Sequence, residues 1–195
     1  MRTSIMSRTG GRCSIVRVCA SGRMIGILIM SRSDEFRLCL DCSGLGVFDD
    51  EEFGRYALGR IRIGDFAESF RVNLEYWSGS DYRSSWLKAI DMLEESESST
   101  SCLVVSLADP ESSAFAFCWP LYREGEVVFV QNSMILFEEL SDPFEMDRPW
   151  LSVQPRNVVD EDGNRISEWS TSMVAVRELG RILQQDSGSL WCMCE

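Results

Sequence analysis

Carboxylates and cysteines are the side chains through which this chain could do chemistry, because its 195 residues contain no histidine. The sequence therefore lacks the commonest general base and the usual partner of a catalytic serine or cysteine. The 31 acidic residues offer many carboxylate pairs, but two acids alone do not define a pocket. We predict no catalytic residues and no cofactor. A small hydrolase or transferase that relies on carboxylates is the alternative.

Eight cysteines raise the question of a metal site. Cys39 and Cys42 form a C-x-x-C pair, but the alternating pattern around them predicts a strand in which they face opposite sides. Without histidine, a zinc site would need four cysteines from scattered positions. Cys102 and Cys118 lie within predicted strands as small hydrophobic residues. The sequence favours structural thiols in a reducing cytosol and no metal site. A thiol-based metal or redox module on Cys39 and Cys42 is a second alternative.

The charge of the chain is unevenly distributed. The net charge is −12, yet the first 33 residues contain six arginines and no acid. The remaining residues comprise 13 basic and 31 acidic side chains, a net charge of −18. Such an acidic body repels nucleic acid and anionic membranes and attracts a basic partner, although solubility alone would also explain the composition. No apolar run approaches the roughly 20 residues needed to span a bilayer.

Residues 115–132 predict a β-hairpin, the most clearly patterned element of the chain. Bulky residues at odd positions from Phe115 to Leu121 alternate with smaller ones, which is typical of a strand. Glu124-Gly125 provides the turn. The return strand, Val127 to Asn132, is largely apolar on both faces and should lie inside a sheet. Pro120 has no N–H to donate, so we expect the first strand to be a sheet edge there.

Periodicity elsewhere predicts two helices and further strands. Ser78 followed by Asp81 matches a helix-capping pattern, and apolar residues then recur at helical spacing to about Glu95. Thr171 or Ser172 can cap a last helix through Leu183. The other predicted strands are Phe36–Cys42, Ala57–Ile63, Cys102–Leu107 and a hairpin of Val153–Val159 with Arg165–Ser170. Residues 65–77 have mixed periodicity, and we assign them to neither helix nor strand. This order predicts a single α+β domain, a mainly antiparallel sheet with two or three helices packed on it.

The two ends of the chain differ in composition from its middle. Residues 1–33 are predicted to be a disordered basic extension, residues 34–183 the folded domain and residues 184–195 a flexible tail. The apolar stretch from Met24 to Met30 follows arginines, as in a signal peptide, but it is short and lacks a small-residue cleavage site. Translation could start at Met1, Met24 or Met30.

Four sequence blocks carry a resemblance to a known family. They are GRIRIGDFAESF with EYWSGSDYRSSW, SCLVVSLADP, FCWPLYREGEVVFVQN, and Arg156 followed by EDGNRISEW. Together they resemble immunity proteins of bacterial contact-dependent growth inhibition systems. The resemblance covers roughly residues 34–183. It implies a cytoplasmic protein, not an enzyme, that binds the C-terminal toxin domain of a cognate effector. Such toxins are often nucleases, so the implied partner is basic.

The resemblance also divides the residues into structural and binding groups. The motif residues that we expect to be structural are Trp77, Asp81, Tyr82, Trp86, Trp119, Tyr122, Gln131, Asn132, Arg156, Gly163, Glu168 and Trp169. Of the aromatic residues, Trp77, Tyr82, Trp86, Phe117 and Trp119 are assigned to the core. Exposed acidic loops are expected to contact the toxin, with candidate residues Asp49, Asp50, Glu51, Glu52, Glu138, Glu139, Asp142, Asp160, Glu161 and Asp162.

Overall fold

A computed structural model describes residues 35–41, 47–50 and 54–185, in which two antiparallel sheets pack with two α-helices. The first sheet contains β1 (Phe36–Asp41), β2 (Phe48–Asp50), β3 (Gly54–Ile63) and β4 (Phe66–Asn73). The second contains β5 (Thr100–Leu107), β6 (Phe115–Glu124), β7 (Val127–Gln131), β8 (Ser133–Leu136) and β9 (Glu168–Ser172). Helix α1 (Gly79–Glu94) links the sheets, and α2 (Met173–Gln185) follows β9. The predicted α+β class is confirmed, with two sheets in place of one.

The predicted hairpin is present as β6 and β7. Its two-residue loop is Gly125-Glu126, one position later than expected, and Gly125 has φ 63°, which glycine adopts without strain. Strand β7 lies between β6 and β9, inside the sheet as predicted. Strand β6 is not an edge, because β5 pairs with one side and β7 and β8 share the other. Pro120 lies at the gap between the β7 and β8 ladders, where its missing N–H breaks no pairing with either strand.

The first sheet is built around β3, which starts three residues earlier than predicted. Strand β4 forms from the segment with mixed periodicity and pairs with β3 along its whole length. The predicted acidic loop contains the short strand β2, so Asp49 and Asp50 are strand residues, paired with Arg55 and Gly54. A backbone ladder to β3 holds these two acids in extended conformation.

Helix α1 begins with the capping box that the sequence predicts. The Ser78 side chain accepts from the Asp81 N–H, while the Asp81 carboxylate accepts from the Ser78 N–H at 2.8 Å. Accepting the Ser78 hydrogen bonds lowers the pKa of Asp81. On the buried face of α1, the Trp86 indole N–H donates to the Val104 carbonyl at 2.6 Å. The Tyr82 hydroxyl accepts from the Leu107 N–H at 2.9 Å and donates to the Asn73 carbonyl at 2.8 Å. These bonds join α1 to both sheets.

The C-terminal part of the domain departs from the predicted hairpin of Val153–Val159 with Arg165–Ser170. Only one bridge, Val159 to Arg165, joins these segments, and Gly163 forms the turn with φ 82°. Strand β9 pairs instead with β7, which offers it a five-residue ladder. The Ser172 Oγ then accepts from the Ala175 N–H at 3.2 Å, which confirms Ser172 as a cap of α2. In the described part of the chain, no helix combines the length and apolarity needed to cross a membrane.

Candidate functional site

A cleft opens between the two sheets and encloses about 530 Å³. Strands β3, β4, β5 and β6 all contribute to its walls. Much of the wall is aromatic, from Tyr56, Phe70, Phe115, Phe117 and Trp119. A concave, largely apolar opening with a few polar groups is the usual form of a binding site, so this cleft is one candidate functional surface.

The cleft residue Trp119 belongs to an aromatic cluster that joins the two sheets. Trp119 is buried, and its rings lie 6.2 Å from Phe66 and 5.7 Å from Trp169, measured between centroids. Phe66 and Trp169 stack on each other at 4.0 Å. These three side chains tie β4 of the first sheet to β6 and β9 of the second. The motif residues Trp119 and Trp169 therefore set the spacing of the two sheets.

Phe117 lies on the same face of β6 as Trp119 but is not covered. The exposed fraction of Phe117 is 43% and that of Phe115 is 38%, so the assignment of Phe117 to the core is wrong. Strand alternation places both rings on the face that Trp119 uses, but the opposite sheet covers only Trp119. The two phenylalanine rings contact each other edge to face at 5.1 Å and line the cleft.

Glu68 is a charged residue in this cleft that the sequence reasoning did not single out. It lies opposite the buried Ile61 in the β3–β4 ladder, so it faces inward with Phe66 and Phe70. The Asn132 side-chain amide donates to its carboxylate at 3.4 Å. The signal in the sequence is a charged residue at position 68 between the apolar residues Phe66 and Phe70, which share one face of a strand. The mixed periodicity of residues 65–77 obscures that alternation in the sequence.

A polar network holds the segment that precedes β9 against β7. The Arg156 guanidinium donates to both Glu168 oxygens at 2.7–2.8 Å and to Glu124 at 2.8 Å, and its Cζ lies 3.6 Å from the Phe129 ring centroid. The Gln131 amide donates to Glu168 at 2.8 Å and to the Asn157 carbonyl at 2.7 Å. The Arg156 hydrogen bonds lower the pKa of Glu168. These motif residues satisfy one another's hydrogen-bonding groups and a backbone carbonyl.

The other motif residues are mostly buried or half-buried. Tyr82 and Trp86 are fully buried, Trp77 is half-buried with its ring edge-on to Tyr82 at 5.1 Å, and the Tyr122 hydroxyl donates to the Gln154 carbonyl at 3.1 Å. Burial raises the pKa of Tyr122 to about 12, so this hydroxyl stays protonated at physiological pH. Asn132 differs from this group, because it is exposed at the cleft.

The predicted toxin-contacting acids lie on separate parts of the surface. Asp49 is exposed on β2, and Glu51 and Glu52 lie outside the described residues. Exposed acids of the segment after β8 are Glu138, Glu139 and Asp142, and those of the turn before β9 are Asp160, Glu161 and Asp162.

A shallow groove of about 160 Å³ lies beside the segment that follows β8. Glu139 lines it on one side, with Asn157 and Ile166 on the other. The carboxylate of Asp160 accepts from the backbone N–H groups of Asp162 and Asn164, which lowers the pKa of Asp160 and fixes the turn. Of the candidate acids in the described residues, only Glu139 lines this groove, and Asp49 lies on the first sheet.

A metal site gains no support from the described residues. They contain no group of three or more histidine, cysteine or acidic side chains that could hold a metal ion. Cys102 and Cys118 are free and buried, as expected for structural thiols. Cys39 is disulfide-bonded, so the expectation of a free thiol is wrong at that position. Cys42 lies outside the described residues.

Comparison with known proteins gives consistent matches in sequence and in structure. Residues 72–179 match the family model of the CdiI N-terminal domain. The chain is 39% identical over 116 residues to the immunity protein CdiI of Enterobacter cloacae subsp. cloacae, which covers 60% of this chain and 79% of that protein. The fold matches a chain of the CdiA-CT/CdiI toxin and immunity complex from Enterobacter cloacae with a TM-score of 0.68 and 32% identity, covering 77% of this chain and 99% of that chain.

Proposed function

The chain belongs to the CdiI family of immunity proteins, which are toxin inhibitors and not enzymes, and we propose that it binds and neutralises the C-terminal toxin domain of a cognate CdiA effector. The observation that carries this proposal is the match, over nearly the full length of the matched chain, to a solved toxin and immunity complex. An immunity protein protects the cell that makes it, and its sister cells, by covering the working surface of the toxin.

The proposed toxin is a nuclease with a basic surface. A nuclease needs positive potential to hold phosphates, and the net charge of −12 on this chain is complementary to such a surface. Opposite potentials also speed the encounter of the two proteins, which matters when a toxin arrives in small numbers. The same negative potential repels nucleic acid and anionic membranes, so we propose neither as a direct partner.

The proposed place of action is the cytoplasm, where a delivered nuclease meets its substrate. Effective neutralisation needs a dissociation constant in the nanomolar range or below, equivalent to about −12 kcal/mol. Charge alone rarely supplies that affinity, because rim charges mainly raise the association rate. A few desolvated anchor residues must contribute the remainder. No cofactor is required for an inhibitor that acts by covering a surface.

The acidic segment after β8 provides a direct test of the electrostatic part of this proposal. Replacing Glu138, Glu139 and Asp142 together with lysine should weaken toxin binding at least tenfold and reduce the association rate, because three exposed carboxylates become three cations. The measurement is titration of the variant with the catalytically inactivated toxin domain of the proposed cognate effector, at two salt concentrations. The defect should be larger at low salt.

A matched control separates local contact from a general change of net charge. Lysine at Asp65, Asp91 and Glu178 changes the net charge by the same amount at positions scattered over the surface. This control should lose much less affinity than the first triple variant. Equal losses would show that net charge alone matters, and unchanged affinity of the first variant would remove residues 138–142 from the interface.

A further inference from the structure

We propose that the cleft between the two sheets receives an arginine or lysine side chain of the toxin, whose cation pairs with Glu68 while its aliphatic stem packs on the aromatic wall. This inference rests on the proposed function and adds to it a binding pocket and the chemistry of the group that fills it. The acidic loops would then steer the partner, and the cleft would supply an anchor.

The position of Glu68 carries the charge part of this inference. The residue is half-buried and faces inward between Phe66 and Phe70, positions where apolar side chains are the rule. Within the described part of the chain, no arginine or lysine forms an ion pair with it, and its hydrogen-bond donor is the Asn132 amide at 3.4 Å. A carboxylate in an aromatic cleft with one long hydrogen bond has unused acceptor capacity, which a cationic donor would satisfy.

The aromatic wall carries the second part of the inference. Phe117 is 43% exposed and Phe115 is 38% exposed, and both line the cleft beside Phe70 and Trp119. Exposing large rings to water is unfavourable unless a partner covers them, so a cluster of them in a concave site indicates contact. Aromatic faces attract arginine and lysine cations and also cover their aliphatic stems. The wall and Glu68 therefore match the two halves of one basic side chain.

Arg71 also lines the cleft and must be accounted for. It alternates with the inward-facing Phe70 and Val72, so it belongs to the outer face of β4. Its Cζ lies 5.2 Å from the Tyr56 ring centroid, which places the guanidinium over that ring. Arg71 is therefore held over Tyr56, on the face of β4 opposite to the one that Glu68 occupies.

The test uses the full chain and the catalytically inactivated toxin domain of the proposed cognate effector. Glu68→Gln keeps the shape of the side chain and removes its charge, and it should raise the dissociation constant roughly tenfold to a hundredfold. Phe117→Ala should raise it roughly tenfold. Matched controls are Asp91→Asn, which removes one exposed charge on α1, and Leu151→Ala, which removes a 58% exposed apolar side chain away from the cleft. Both controls should change affinity less than twofold.

A double-mutant cycle identifies the side chain that enters the cleft. Each surface arginine and lysine of the toxin domain is replaced in turn with alanine, and each variant is titrated with the wild-type chain and with Glu68→Gln. One toxin variant should bind the wild-type chain at least tenfold more weakly, yet bind the two immunity chains almost equally. Melting temperatures within about two degrees of wild type ensure that lost affinity reflects the site.

Each outcome decides the inference. If the wild-type chain binds the toxin but Glu68→Gln and Phe117→Ala bind as tightly as the controls, the cleft is not an interface and the proposed function stands. If the wild-type chain does not bind the toxin, the proposed function fails and the cleft inference fails with it. If a single-stranded oligonucleotide binds the wild-type chain and the two cleft variants abolish that binding, the occupant is a nucleic acid and the inference is overturned.

Discussion

Replacing Arg156 with alanine should lower the free energy of unfolding by about 3 kcal/mol. The paired hydrogen bonds to Glu168 join side chains that are 25% and 17% exposed, and they account for about 2 kcal/mol of this loss. Stacking of the guanidinium on Phe129 contributes about 0.5–1 kcal/mol. The bond to Glu124 adds little, because that carboxylate is 60% exposed and screened by water. The melting temperature should fall by roughly 6–12 °C.

Urea denaturation followed by tryptophan fluorescence measures this loss. Arg156→Lys keeps the charge but not the planar fork, so it should lose about half as much stability as Arg156→Ala. The matched control is Arg148→Ala, which removes an ion pair to Glu145 whose side chains are 59% and 46% exposed. This control should cost less than about 0.5 kcal/mol.

The stability lost in Arg156→Ala should also depend on pH, in a direction that follows from the pKa of Glu168. The Arg156 hydrogen bonds lower the pKa of Glu168 from its ordinary value of 4.5 in the folded protein. A lowered folded-state pKa contributes stability that is fully present above pH 4.5 and is lost as pH falls through the folded-state value. The stability difference between wild type and Arg156→Ala should therefore be constant near neutral pH and shrink below about pH 4.5. A loss below about 0.5 kcal/mol at pH 7, or a difference that does not shrink in acid, would refute this reasoning.

Two further stability predictions concern the packing of the sheets. Tyr82→Phe should lower the free energy of unfolding by about 2 kcal/mol, because it leaves the buried Leu107 N–H without its hydroxyl acceptor. Urea denaturation measures this loss, and a loss near zero would contradict the role of the Tyr82 hydroxyl as that acceptor. Gly59→Ala should cost about 1–3 kcal/mol, because the added Cβ would collide with the Phe70 ring. The same substitution made together with Phe70→Ala should cost much less, and an equal cost in both backgrounds would locate the strain elsewhere.

Short sequence patterns predicted the helix start and the hairpin turn, because neighbouring residues determine both features. The Ser78 capping box fixed the start of α1, and the glycine at 125 fixed a hairpin within one residue of its observed turn. The pairing of β9 with β7 was not predictable in the same way. The turn at Gly163 suggested a local hairpin, but a longer ladder with a strand far away in sequence is the observed pairing.

The candidate site shows the same limit. Alternation correctly placed Phe115, Phe117 and Trp119 on one face of β6, but whether that face is covered depends on how the second sheet packs. The opposite sheet reaches Trp119 and leaves the two phenylalanines at an open cleft. Glu68 is distinguished by the position of β4 at that cleft, since neither its place in the sequence nor its residue type sets it apart from 30 other acids.

The central claim is that this chain works by occupying a toxin surface. It is tested most directly by calorimetric titration of the full chain with the inactivated toxin domain of its proposed cognate CdiA effector. We expect a one-to-one complex with a nanomolar or lower dissociation constant, together with growth of cells that produce the active toxin and this chain. Absence of a complex at micromolar concentrations of both proteins, with no protection of those cells, would contradict it.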